Sequence, residues 1–466
     1  MGKGTGNVKR RALVIGLDCV PPELLFEQFR PDMPNISALI DRSTHGRLKS
    51  AIPPITVPAW ASMTTSKDPG RLGFYGFRNR TDTSYQKMGI VNSQMVREPA
   101  VWDLVSRAGG KVVVMGVPPA YPPKPVNGVS VGCFLTPSVE GNYTYPANLK
   151  WEIQDEVGEY LVDVPNFRTE EKDRLLSDIY RMTERRFALA RHFMDTREWD
   201  FFMMVEMGTD RIHHGFWHFM DPEHPKYEPG RLTDAIHEYY KTIDAEVGSL
   251  LSRVDDDTAI LLVSDHGAKR MEGGVCINEW LIKEGLLTLK SKPAGSVPLE
   301  QCEIDWSKTV AWASGGYYSR VFLNVAGREP NGIVTDYQGT LRDLKARIEA
   351  IPDHLGRPMP TTAHIPDETY ETVRGFAPDL IVLFGDLLWR AVGSVDGGQI
   401  YTFDNDTGPD DANHAQHGVF VLDHDRESRW AEGHQLMDIA PTLLDVMGLP
   451  VPSDMQGRSI VTSLSD

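Results

Sequence analysis

An aspartate and a histidine, Asp265 and His266, follow the aliphatic run Ala259 to Val263 and lead into Gly267. A run this short and apolar, closed by a glycine, reads as a parallel strand buried on both faces. Its carboxyl end opens into the crevice where open α/β sheets hold ligands. Carboxylates are almost never buried unless paired or bound to a metal, so an acid and an imidazole emerging there together point to a metal site. Residues of the same kind recur along the chain. Asp18 closes a second buried-strand pattern that begins at Arg11, and a third apolar run, Trp199 to Glu206, leads through Gly208 to Asp210 and His214. That pair is spaced i,i+4, which puts both side chains on one helix face, as a shared metal requires. A fourth apolar run, Leu380 to Phe384, precedes a Gly- and Asp-rich loop carrying His414. Aspartate and histidine ligands without cysteine suit zinc or manganese better than a soft-metal cluster.

A hydroxyl stands in the segment Ile52 to Met63, where prolines bracket Thr56 ahead of a helix-like stretch. Threonine is favoured there simply as a helix N-cap. It is also well placed as a nucleophile, because the helix dipole favours its alkoxide and free backbone N–H groups can hold phosphate oxygens. The metal-ligating pattern elsewhere favours the nucleophile.

The elements that must position these residues alternate. Val101 to Ala108 reads as a helix feeding the strand Lys111 to Gly116. Glu170 to Asp195 and Leu232 to Val254 are long amphipathic helices, and Met437 to Met447 is a packed closing helix. This rhythm predicts an α/β fold, a mainly parallel sheet sandwiched by helices. Between Leu286 and Pro378 it changes to a hairpin-like strand, Tyr317 to Asn324, a helix, Tyr337 to Ile351, and a proline-rich loop. The change predicts a smaller α/β subdomain at 286–377, inserted between a core of residues 1–285 and its closing part, 378–466. Trp312, Tyr317 and Tyr318 read as the core of that subdomain.

Composition narrows the function. An apolar content of 41% over 466 residues supports a large core and argues against disorder. A net charge of −17 disfavours a nucleic-acid polymer as partner, since phosphate backbones demand clustered Lys and Arg. The basic start, MGKGTGNVKRR, leads into a strand too short for a secretory h-region, and no segment approaches the roughly 20 apolar residues of a membrane span. Cys19, Cys133, Cys276 and Cys302 are scattered without paired spacing and read as reduced core thiols of a cytoplasmic protein.

In chain order the motifs are strand-Asp, Thr-x-Pro, Asp-x-x-x-His, Asp-His-Gly and His-x-x-x-Gly. Together they resemble the alkaline phosphatase superfamily, in the branch of type I phosphodiesterases and nucleotide pyrophosphatases, and within it predicted phosphohydrolases and phosphomutases. The resemblance spans nearly the whole chain and implies an alkaline phosphatase-like core with two divalent ions per protomer, zinc or else manganese. Carried over by position, it implies Asp18, Thr56, Asp265 and His266 as ligands of one ion, and Asp210, His214 and His414 as ligands of the other. Thr56 is then the nucleophile of a covalent phospho-enzyme intermediate. Two dications can clamp an in-line phosphoryl displacement, which agrees with the reading of the residues themselves. The implied reaction is hydrolysis of a small phosphorylated substrate, whether a phosphodiester, a pyrophosphate or a monoester. A phosphomutase or phosphoryl transferase is the alternative, because only the acceptor differs.

At one place the chain departs from the branch. Where ungapped counting expects an asparagine that donates to a phosphate oxygen, it carries Phe77. Arg78, Asn79 or Arg80 can replace that donor, and a guanidinium there favours the monoester dianion. His213 adjoins a ligand and is a candidate substrate contact, although its i,i+1 offset points it away from the metal. His218 reads as a helix-surface histidine, and His417 as a support for the site. Lys269 and Arg270 are candidates to meet an anionic substrate. A sulfatase would need cysteine or serine where Thr56 stands, and a non-catalytic binding protein would be expected to have lost ligands.

Overall fold

Aliphatic runs with no polar face must be covered on both sides. The computed structural model, which describes residues 8–395 and 397–463, buries every residue of Ala12–Leu17 at the middle of a ten-stranded sheet. Residues 1–7, which open the basic start, lie outside the described residues. Ala12–Leu17 pairs in parallel with Phe201–Glu206 on one side and Ala259–Val263 on the other. Val112–Met115 and Gly128–Val131 extend the parallel array. On the opposite flank His417–Asp423 runs antiparallel between Ala259–Val263 and Thr44–Lys49. Lys172–Thr196, Gly208–Met220 and Ala235–Leu251 pack together as one set of helices, and Thr56–Thr65, Val101–Arg107 and Ile439–Val446 as another. The result is the expected α/β sandwich with a mostly parallel sheet.

The smaller unit has its own apolar core, which includes Trp280, Phe322, Leu344 and Trp389. It is wider than 286–377. Gly273–Cys276 pairs with Trp389–Val392 and Tyr401–Thr402, and the run read as a returning core strand, Leu380–Leu383, lies instead between Ser319–Leu323 and Thr362–His364. A short aliphatic run does not say which sheet it joins. Here the choice is tied by Asp379, which accepts from the Leu323 amide at 2.6 Å and from the Arg328 guanidinium. Among the described residues no helix is long and apolar enough to cross a membrane.

The registers decide where chemistry can happen. Leu17 lies opposite Glu206 and Gly16 opposite Val263, so the three central strands end together and release Asp18, the Gly208–Met220 helix and Asp265 on one edge. An antiparallel ribbon of Gly267–Arg270 with Ala412–Ala415 then delivers His414 opposite Ala268, beside Asp265 and His266. Two glycines make room. A Cβ at Gly16 would stand 2.6 Å from the Trp60 ring, and one at Gly418 2.6 Å from the Ser264 carbonyl oxygen.

Candidate active site

Two groups of buried ligand-type side chains meet at these strand ends. In one, Asp18, Asp265 and His266 offer atoms within 4.8 Å of one another; in the other, Asp210, His214 and His414 do so together with Cys19. Asp18 is oriented by the Trp60 indole N–H, which donates to Oδ2 at 2.6 Å. Its Oδ1 is buried without a hydrogen-bond partner, as are Asp265 Oδ2 and His214 Nε2. Each histidine is steered through its other ring nitrogen. His214 Nδ1 lies 2.6 Å from Asp410 Oδ1, His414 Nδ1 2.9 Å from the Pro54 carbonyl, and His266 Nδ1 3.2 Å from that of Gly267. Such partners fix the ring and its tautomer for a metal on the free nitrogen.

Burial and crowding displace the acids and imidazoles of the site from their ordinary ranges. Burial pushes Asp18 well above the usual carboxylate range, and Asp210 adds to the shift; burial and then Asp18 do the same to Asp265. Burial acts on Asp210 too, but His214 and then Arg211 outweigh it and hold that carboxyl well below the range. His214 is raised to about 10, since the Asp410 and Asp210 carboxylates overcome its burial. Burial depresses His266 to about 4. Three crowded carboxylates and unpartnered ligand atoms fit the donor set of hard or borderline dications.

Thr56 is the first residue of the Thr56–Thr65 helix, with its hydroxyl 3.2 Å from His266 Nε2. It lies on the wall of a cavity of about 440 Å³ that Phe77, Arg78, Arg168, Arg211 and Arg320 also line. Of the loop residues proposed for substrate, the fold brings only Arg78 to this cavity. Asn79 spends its amide on the loop itself, accepting from the Tyr75 N–H at 2.6 Å and donating to the Gly76 carbonyl at 2.8 Å. Arg80 turns into the smaller unit, paired with Glu329 at 3.1 Å and lying over Trp312 and Phe322. His213 does not line the cavity; it is buried, 3.0 Å from the Tyr240 hydroxyl and beside the Cys19 backbone. Lys269 and Arg270 are engaged with Asp386 and with Glu223 and Glu272. His218 is buried and bonded to Asp411, not a surface residue, while His417 is exposed at a strand start.

Several residues of the site escaped the sequence, Arg168 and Arg211 on the cavity wall among them. Tyr317 stacks on His214 and His414, and its hydroxyl donates to Asp410 Oδ2 at 2.9 Å. Asp410 itself stands in the Gly- and Asp-rich loop before His414, and that proximity was its one signal. Arg320 comes from the smaller unit and carried none. Cys19 directly follows a candidate ligand but was read as core.

An alkaline phosphatase-like sandwich with two Asp/His groups beside a helix-initial threonine defines a class, the phosphoryl-transferring enzymes. Over residues 12–410 the sequence matches the type I phosphodiesterase / nucleotide pyrophosphatase family, and the chain belongs to that family. Curated relatives are similar locally. The 2,3-bisphosphoglycerate-independent phosphoglycerate mutase of Aeromonas salmonicida is 26% identical over 155 residues, 33% of this chain and 25% of that one. Its counterpart in Acinetobacter baylyi is 45% identical over 53 residues, 10% of each chain. Thus the chain matches about a quarter or less of the length of these mutases. Among solved structures, phosphonoacetate hydrolase from Sinorhizobium meliloti with phosphonoacetate superposes with a TM-score of 0.61 at 14% identity, over 94% of this chain and 96% of that one. Murine ectonucleotide pyrophosphatase / phosphodiesterase 5 with AMP gives 0.57 at 12%, over 98% and 99%. At these identities the likeness is one of fold.

Proposed function

We propose that the protein is a metal-dependent hydrolase that cleaves a phosphate ester of a small molecule, with Thr56 as nucleophile. One observation carries this reading: Asp18 Oδ1, Asp265 Oδ2 and His214 Nε2 are buried without hydrogen bonds and crowd other ligand atoms, Asp265 Oδ2 lying 3.2 Å from His266 Nε2 and His214 Nε2 3.2 Å from Asp210 Oδ1, in two groups of which the first adjoins the Thr56 hydroxyl. Asp18, Thr56, Asp265 and His266 would hold one divalent ion, and Asp210, His214 and His414 the other, zinc suiting these donors and manganese being the alternative. When bound, the ions supply Lewis acidity at the attacking and leaving oxygens.

The chain's own groups do the rest. Thr56 Oγ, giving up its proton to solvent, bonds to phosphorus as the ester oxygen leaves with its electron pair and takes up a proton, giving a phosphothreonine. Water then displaces the threonine oxygen and restores the hydroxyl. The amides of Thr56 and Val57 begin a helix and have no carbonyl one turn back, so they are free to donate to phosphoryl oxygens. Arg78 and Arg320 form no salt bridge among the described residues and face the cavity as cations for a monoester dianion or a distal charge. A cavity of about 440 Å³ accommodates a small phosphorylated molecule. The free thiols of Cys19, Cys133 and Cys302 support the cytoplasm as its compartment.

The local likeness to phosphoglycerate mutases supports a phosphomutase as second reading, in which the phosphothreonine returns its phosphoryl group to an organic hydroxyl. Metal quantification on purified protein, with a panel of aryl phosphate mono- and diesters and assay of released phosphate, tests the proposal. Two bound dications with turnover of at least one ester class are expected. Protein that binds the metals yet releases product from none of the panel, while moving phosphate within a bifunctional ester, would make it a mutase.

A further inference from the structure

We propose that Cys19 is a further ligand, through Sγ, of the divalent ion held by Asp210, His214 and His414. The assignment rests on the two-ion reading above and goes beyond it in naming a sulfur donor at one site alone. Cys19 is fully buried, and its Sγ lies within 4.8 Å of the ligand atoms of Asp210, His214 and His414. His214 Nε2, in the same group, is buried without a well-formed hydrogen bond and lies 3.2 Å from Asp210 Oδ1. Donors of different kind therefore lie together within 4.8 Å.

The backbone holds the thiol there. Asp18 and Cys19 are consecutive, yet Asp18 joins one group and Cys19 the other, because the chain turns sharply between them with Cys19 at φ 66. In this left-handed region a side chain is strained where glycine is not. Polar bonds pin the turn: the Cys19 amide donates to Asp265 Oδ1 at 3.3 Å and the Val20 amide to Ser264 Oγ at 2.8 Å.

The donor set leaves a place for the sulfur. The Arg211 guanidinium already bonds to Asp210 Oδ2, and Asp410 engages His214 Nδ1, so Asp210 offers one oxygen and each histidine one nitrogen. Sγ would supply a fourth donor, its S–H proton, now donated toward the Gly267 carbonyl at 3.4 Å, being released to solvent as the metal–sulfur bond forms. Sulfur also biases this site toward zinc or cobalt and away from manganese, which the oxygen-rich first site tolerates. The two sites would then differ in metal preference.

Cobalt(II) reports the bond directly. The full chain, stripped with chelator and reloaded with cobalt, should show a near-ultraviolet thiolate-to-cobalt charge-transfer band that saturates with one of two bound ions. Cys19→Gly, which suits φ 66, and Cys19→Ser should both lose the band. In each, one cobalt should weaken by at least the roughly tenfold that loss of even an outer partner costs, while the other is unchanged. Cobalt bound without the band in the wild type, or a band and affinities unaltered in Cys19→Gly, overturns the assignment and leaves the two-ion reading standing. Protein that binds no cobalt overturns both.

Discussion

Charged residues crowd two places in this molecule, the carboxyl ends of the central strands and the loop from Gly73 to Arg80, and the fold treats them in opposite ways. At the strand ends Asp18, Asp265 and His214 are buried with an acceptor or ring nitrogen left unpartnered. In the loop Asn79 closes a turn upon itself and Arg80 is drawn into a buried pair with Glu329, with only its Nε left unpartnered. Short side chains at the end of a buried strand cannot reach a distant partner, so what they lack must come from outside the protein. A long arginine can swing into whichever unit packs against it. Ligand-type atoms clustered within 4.8 Å of one another thus mark function better than charge does.

The hardest test of the strand-end region is its nucleophile. Thr56→Ala should lower kcat/KM by a factor on the order of 10³ to 10⁶, as loss of an attacking residue does, with most of the metal retained. Ester turnover beside metal quantification checks this, and activity surviving within about tenfold would leave Thr56 a helix cap. Next come the ligands. Asp265→Ala and Asp210→Ala should each empty a different one of two sites, weakening that ion by more than about a hundredfold and the other by far less. Identical losses in both variants would break the division into two groups.

The loop arginines sharpen the contrast, because their effects should fall on different measurements. Arg80→Ala removes one side of a pair whose side chains are 4% and 0% exposed. It should therefore cost about 3–5 kcal/mol in denaturant unfolding, with kinetics per folded molecule little changed. Arg78→Ala should leave stability alone and lower monoester kcat/KM by one to two decades, from a charged contact of roughly 1.5–3 kcal/mol. The reverse pattern would return Arg80 to the substrate.

The smallest expected effect is a slope. Burial depresses His213 to about 3 from an ordinary value of 6.5. Its neutral form is favoured on folding, so that stability is present above pH 6.5 and is lost as pH falls toward 3, at about 1.4 kcal/mol per unit. His213→Gln keeps a polar partner for the Tyr240 hydroxyl and should flatten this part of the stability profile of chelated protein. Its kcat/KM should stay within a few-fold, since His213 does not line the cavity; a large kinetic loss would make it a substrate contact after all.

How much was legible before folding follows from the same physics. Aliphatic runs ending in Asp18 and Asp265, and the i,i+4 pair Asp210 and His214, are local patterns with one economical solution, so the parallel sheet and the gathering of these residues could be read from the chain. Leu380–Leu383 looked the same as a core strand and belongs to the smaller sheet, because a short apolar run satisfies either. Arg320 and Tyr317 reach the site only through packing of the smaller unit on the core. The fate of Arg80 depended on Glu329, 249 positions away. Cys19 was set by a single left-handed turn that no composition rule foretells. Types and spacings determined what chemistry the chain could carry; contacts between distant segments decided which side chains were left with unsatisfied atoms, because only a packed interior excludes the water that would otherwise satisfy them.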